Sequence, residues 1–151
     1  MKYFAYGSNM DPRRMKDRDV RFSQRTRAAL NGYALRFNKV AFDNPQEGKA
    51  NIVKREDEMV EGALYEIPES DMSKLHRAEG YPSHYGKMTV LVKLDGNKEV
   101  EALTYVAQPS MIQEGLKPTR EYLGSGCSSH TRQRREEAFL SSFKRQIMKL
   151  C

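Results

Sequence analysis

Extended segments in this chain are short and follow one another closely, and that spacing restricts the fold more than any other feature. Residues 3–6, 27–30, 33–37, 51–54, 59–67, 88–94 and 99–106 read as strands. Tyr33, Leu35 and Phe37 alternate onto one face, after a break at Asn31-Gly32. Glu56-Asp57-Glu58 reads as a turn between two strands, and Gly62 inside the second predicts a bulge or a close backbone approach. Asp95-Gly96-Asn97 joins the last two strands as a hairpin. Helices are expected over 12–17, 68–78 and 133–151, the last with Phe139, Phe143 and Ile147 on one face. Strands so short and close cannot form a doubly wound parallel sheet. The predicted class is mixed α/β (α+β): one domain over 1–151 with a small, barrel-like mixed sheet and flanking helices.

The first strand ends in a junction of small residues, Gly7-Ser8-Asn9, before Asp11 and Pro12, an N-cap residue and a helix-initiating proline. Such a turn leaves backbone N–H groups able to bind an anion or a developing oxyanion, or it is an ordinary connection. Gly7 there is expected to serve positive φ or close backbone approach.

The net charge of +6 raises nucleic-acid binding as a question. Arg13, Arg14, Lys16 and Arg18 form one basic cluster and Arg132, Arg134 and Arg135 another. Acidic residues adjoin both, and no aromatic-interleaved basic motif appears, so solvated helix faces are expected and no nucleic-acid partner. No apolar run approaches membrane-spanning length and no leader pattern opens the chain. With Cys127 and Cys151 the only cysteines, no disulfide, no membrane association and a cytoplasmic location are expected. His76 and His84 are too few for a metal site. Cys127 with His130 lacks a third partner for a thiol hydrolase, and Gly124-Ser125-Gly126 lacks the strand and lysine of a phosphate loop.

In the middle helix Met72 and Leu75 mark the buried face, and Gly80 follows its end. Glu79 stands four residues after Leu75, on that same side. Two readings are open: a helix-end carboxylate that turns to solvent, or a partly desolvated one with a raised pKa that works as a general base. Residues 108–126 read as a long loop, a common place for function.

Three elements in order resemble the γ-glutamylcyclotransferase-like family, spanning residues 3 to 122. Tyr3-Phe4-Ala5-Tyr6-Gly7-Ser8-Asn9 is similar to its N-terminal signature, which forms the floor of the active site. Leu75-His76-Arg77-Ala78-Glu79-Gly80 is similar to its Leu-x-x-x-Glu-Gly element, whose Glu is the catalytic acid/base. Many members carry Asp where this chain has His76. Pro118-Thr119-Arg120-Glu121-Tyr122 is similar to a Pro-Ser-x-x-Tyr element whose Tyr contacts ligand. Tyr105 occupies a strand position where relatives carry an aromatic residue, and faces either the pocket or the core.

The resemblance implies a barrel-like mixed sheet and a cofactor-free cyclotransferase, with Glu79 as general acid/base. Residues 3–9 and Tyr122 would then bind a small γ-glutamyl substrate, with no metal, in a monomer or homodimer. It also leaves open γ-glutamyl removal from a specialised amine intermediate on the same scaffold, or a binding module without turnover.

Overall fold

The computed structural model describes residues 1–118. β1 (Lys2–Ala5) leads through a 3-10 turn at Ser8–Met10 into α1 (Pro12–Asp17). β2 (Gln24–Val40) and β3 (Glu47–Glu66) are long, and a 3-10 turn at Glu69–Asp71 precedes α2 (Met72–Ala78). β4 (Tyr85–Lys93) and β5 (Glu99–Ala107) form a hairpin, and β6 (Lys117–Pro118) is a short addition.

The sheet runs β1-β5-β4-β2-β3-β6, and β1 also pairs with β3. That second pairing closes five strands into a barrel-like mixed sheet, as expected. β1 is antiparallel to β3 and parallel to β5. With neighbours on both sides, β1 has no free edge, and Tyr3, Phe4 and Ala5 are all buried.

Two strand boundaries differ from expectation. Asn31-Gly32 does not divide β2, and Glu56-Asp57-Glu58 is not a turn between strands. In the ladder Asn31 pairs with Met59 and Tyr33 with Lys54, so residues 55–58 stand opposite Gly32 alone. The surplus residues bulge out, Gly32 adopts φ +83°, and pairing resumes beyond them. Side chains 55–59 are exposed, so acidic residues there incur no desolvation cost.

Gly62 marks a close approach rather than a bulge. Its register through Ala28↔Gly62 is continuous, and a Cβ at this position would meet the Ala5 carbonyl at 2.4 Å and the Phe4 ring at 2.5 Å. The middle helix begins as 3-10 and becomes α-helical at Met72, with Met72 and Leu75 buried. Gly80 ends it at φ +65°.

Of the long loop, the described part holds a 3-10 turn at Pro109–Met111 and β6. Tyr122, the Gly124-Ser125-Gly126 run, Cys127, His130 and the helix expected over 133–151 lie outside the described residues. Among the described residues no helix is long and apolar enough to cross a membrane.

Candidate functional site

The N-terminal junction and the end of α2 meet at one end of the barrel. Asn9, 3% exposed, is the hub. Its Nδ2 donates to the Tyr3 hydroxyl at 3.0 Å and to Glu79 Oε1 at 2.8 Å. Arg18 Nη1 donates to Asn9 Oδ1 and reaches Glu79 Oε1 at 3.2 Å. The Tyr65 hydroxyl donates to the Asn9 and Met10 carbonyls at 2.7 and 3.1 Å, which fixes the turn to β3.

Local chemistry explains why the turn forms here. Asp11 accepts from the Arg13 N–H at 2.9 Å and caps α1, and Pro12 begins it. Gly7 has φ −113°, so positive φ is not what this position demands. The Gly7 carbonyl accepts from the Met10 N–H at 3.0 Å, which curls the chain back toward the cleft.

Glu79 follows α2 and keeps its N–H on the Leu75 carbonyl at 3.0 Å. Its side chain is 16% exposed. Desolvation raises its pKa, and Arg18, Lys49, the Asn9 hydrogen bond and Lys39 pull in the opposite direction. The carboxylate is therefore desolvated yet held beside cations, the condition of a titratable base rather than of a solvated helix end.

A narrow polar cleft of about 30 Å³ opens here, lined by Tyr3, Tyr6, Ser8, Asn9, Glu79 and Tyr105 together with Gly7, Ala50 and Tyr85. The Tyr6 hydroxyl donates to the Tyr105 carbonyl at 2.5 Å. The Tyr105 hydroxyl pairs with His76 Nδ1 at 2.5 Å, and the Tyr85 hydroxyl donates to the Ala50 carbonyl at 2.8 Å. A wider groove of about 420 Å³ runs along Pro12, Lys16, Val20 and Phe22, but it brings no desolvated carboxylate to its walls.

The structure thus brings Tyr3, Tyr6, Gly7, Ser8, Asn9, Glu79 and Tyr105 to one cleft. Phe4 and Ala5 are not on it. They are 0% and 1% exposed within the core, where Phe4 packs over Gly62. Alternation along β1 turns Phe4 to the face opposite Tyr3, and Ala5 is too short to reach past its neighbours. Tyr105 is both a core residue, 2% exposed, and a cleft wall. Tyr122 lies outside the described residues.

Sequence reasoning missed Arg18, Ala50 and Tyr85 as cleft residues, and considered His76 as a metal ligand and as a departure from the family's Asp, not as a partner of Tyr105. Arg18 belongs to the basic cluster expected on a solvated face, yet its side chain is 24% exposed and reaches Glu79. No local signal separates it from Arg13 and Arg14; only the position of Glu79 does. Among the described residues no group of three or more His, Cys, Asp or Glu could hold a metal ion.

Residues 3–124 match the family model described as "Gamma-glutamyl cyclotransferase, AIG2-like". The chain is 34% identical over 108 residues to "Putative gamma-glutamylcyclotransferase YkqA" of Bacillus subtilis (strain 168), covering 69% of this chain and 38% of that protein. It is 30% identical over 73 residues to "Putative gamma-glutamylcyclotransferase MJ1514" of Methanocaldococcus jannaschii, covering 48% of this chain and 54% of that one. The crystal structure of YkqA superposes with a TM-score of 0.71 at 26% identity, over 99% of this chain and 55% of that chain. A structure titled "Gamma-glutamyl cyclotransferase" shares the fold, with a TM-score of 0.63 at 18% identity over 93% and 98% of the two chains. The chain thus spans about half or less of the length of the curated relatives it matches.

Proposed function

The chain belongs to the gamma-glutamyl cyclotransferase, AIG2-like family, and from that premise we propose that it is a cofactor-free cyclotransferase acting on a small γ-glutamyl compound. The products are 5-oxoproline and a released amine or amino acid. One observation carries this reading: a desolvated carboxylate, Glu79, held by Asn9 of the N-terminal turn at 2.8 Å in a cleft walled by tyrosines.

The substrate holds both reacting groups, so folding it into a near-attack conformer supplies much of the rate. Its α-ammonium loses a proton to Glu79, and the freed nitrogen attacks the γ-carbonyl carbon. A C–N bond forms, and the carbonyl electron pair moves to oxygen. The backbone N–H groups of Gly7-Ser8-Asn9 would receive that oxyanion or the α-carboxylate. As the oxyanion collapses, the original amide C–N bond breaks and Glu79 returns a proton to the leaving nitrogen; the ring nitrogen gives up its surplus proton to the released amine, which departs as an ammonium.

Arg18 has a tuning role in this scheme. Burial raises the Glu79 pKa, and the Arg18 guanidinium at 3.2 Å opposes that rise.

The test is incubation with γ-glutamyl dipeptides and γ-glutamyl amines, followed by assay of 5-oxoproline. Formation that depends on Glu79 supports the proposal. Binding without 5-oxoproline from any member would replace it by a binding module.

A further inference from the structure

Lys39 has 0% exposure, whereas the other lysines among the described residues reach water. It lies near the end of β2, directly paired with Lys49 of β3. Its Nζ sits 2.9 Å from His84 Nδ1, 4.9 Å from the centre of the Phe42 ring and 5.4 Å from that of Tyr85. Lys49 Nζ is 5.9 Å from the same Phe42 ring. Among the described residues neither ammonium has a carboxylate within ion-pair distance. The carboxylate that acts on both lysines is Glu79, from beyond ion-pair distance, and a second anion beside them would offset the burial of Lys39 and its repulsion by Lys49.

The location is informative. Tyr85 and Ala50 line the cleft that holds Glu79, while Tyr85 also faces Lys39, and Ala50 follows Lys49. The lysine pair therefore adjoins the cleft across Tyr85. Its outer cover is Phe42, 67% exposed and stacked on His84 at 3.7 Å between ring centres. Phe42 reaches solvent and Lys49 is half-buried, while Lys39 is fully covered.

We propose that Lys39 and Lys49, with Phe42 above them, form a subsite for the carboxylate of the leaving group, so that the preferred substrates are γ-glutamyl amino acids or peptides rather than γ-glutamyl amines. The inference rests on the cyclotransferase reading of the adjoining cleft. The γ-glutamyl unit's own carboxylate shares a carbon with the reacting amine and so stays beside Glu79 and the N-terminal turn. The part of the substrate that extends beyond Tyr85, toward solvent, is the leaving group.

Charge effects agree with the geometry. Desolvation and the neighbouring Lys49 lower the Lys39 pKa to about 8, with Glu79 raising it in opposition. His84 is lowered by burial and by the two lysines, which leaves it neutral and able to accept from Lys39. A bound carboxylate would hold Lys39 in its charged form.

The experiment compares a γ-glutamyl amino acid with the γ-glutamyl amine that lacks only its carboxylate, in the parent, Lys39→Met and Lys49→Met. The readouts are kcat/KM for 5-oxoproline release and calorimetric affinity for both compounds. The parent should prefer the acid by about 10- to 100-fold, the usual worth of hydrogen bonds to a charged group. That ratio should collapse toward one in either variant. Lys49 is only half-buried, so its variant keeps the test valid even if Lys39→Met folds poorly. A parent that shows no preference overturns the proposal. So does a variant that loses both compounds equally, which would place the γ-glutamyl carboxylate at these lysines. If neither compound yields 5-oxoproline, the cyclotransferase reading fails, while the calorimetric preference and its loss in the variants still decide the subsite. Absence of binding to both overturns it.

Discussion

Asn9 and Glu79 are seventy positions apart, and Asn9 Nδ2 donates to Glu79 Oε1 at 2.8 Å. The same nitrogen donates to the Tyr3 hydroxyl, and Arg18 closes the group from the other side. The carboxylate is thereby oriented by a neutral donor and tempered by Arg18, with Lys49 and Lys39 acting in the same sense, while burial raises its pKa.

Glu79→Gln should lower turnover by roughly 10²–10⁴-fold, the usual contribution of general acid–base catalysis, with substrate binding retained. Stability should change by no more than about 1 kcal/mol at neutral pH, because an ion pair and a desolvation penalty are lost together. The sign with pH follows from the raised pKa of Glu79. Its protonated form is favoured by folding, so its contribution is full below the unfolded pKa and is lost as pH rises through the folded one. Chemical denaturation of parent and variant across that range should show the difference narrowing toward low pH in the parent's favour.

Arg18→Met should move the acid limb of the kcat/KM profile to higher pH. Arg18 is the largest of the influences that lower the Glu79 pKa, so its removal raises it further and shrinks the fraction of base at a given acidic pH. A pH–rate profile whose acid limb stays in place would contradict the tuning role.

Tyr105→Phe removes a hydroxyl that pairs with His76 Nδ1 at 2.5 Å while leaving the ring against Tyr3. The expected loss is about 1 kcal/mol of stability, the net worth of one hydrogen bond. Urea unfolding of the variant measures it.

Asp71 joins α2 to the segment before β2. Its carboxylate accepts from the Arg21 side chain at 3.0 Å and backbone N–H at 2.9 Å, which together hold it well below the usual carboxylate range. A depressed folded pKa adds stability above the unfolded value, and that stability is lost as pH falls through the folded one. Asp71→Asn should therefore lower Tm at neutral pH and leave a flatter acid dependence; equal Tm-versus-pH slopes for parent and variant would refute this.

Gly62→Ala should destabilise by roughly 1–3 kcal/mol, the cost of forced overpacking. The new methyl would meet the Ala5 carbonyl and the Phe4 ring, both at the root of the N-terminal turn. Thermal unfolding, compared with the open position Gly96, where nothing lies within 4 Å but φ is positive, separates crowding from backbone strain.

Short-range physics made a large part of this molecule legible. Alternation marked β4 and β5, Asp11-Pro12 marked the start of α1, and the four-residue step from Leu75 placed Glu79 on the inward side. These depend on neighbours along the chain, so the amino-acid order alone specifies them. The strand lengths were not legible, because the bulge opposite Gly32 arises only when β2 and β3 pair and one has residues to spare. Nor were Arg18, Tyr85, Lys39 or the His76–Tyr105 contact. Arg18 resembles its solvated neighbours, and Lys39 resembles any strand lysine, until closure of β1 between β3 and β5 gathers distant segments at one end of the barrel. Desolvation, and with it the chemistry of Glu79 and Lys39, is a property of that closure: it depends on which surfaces come to exclude water, and only the tertiary structure decides that.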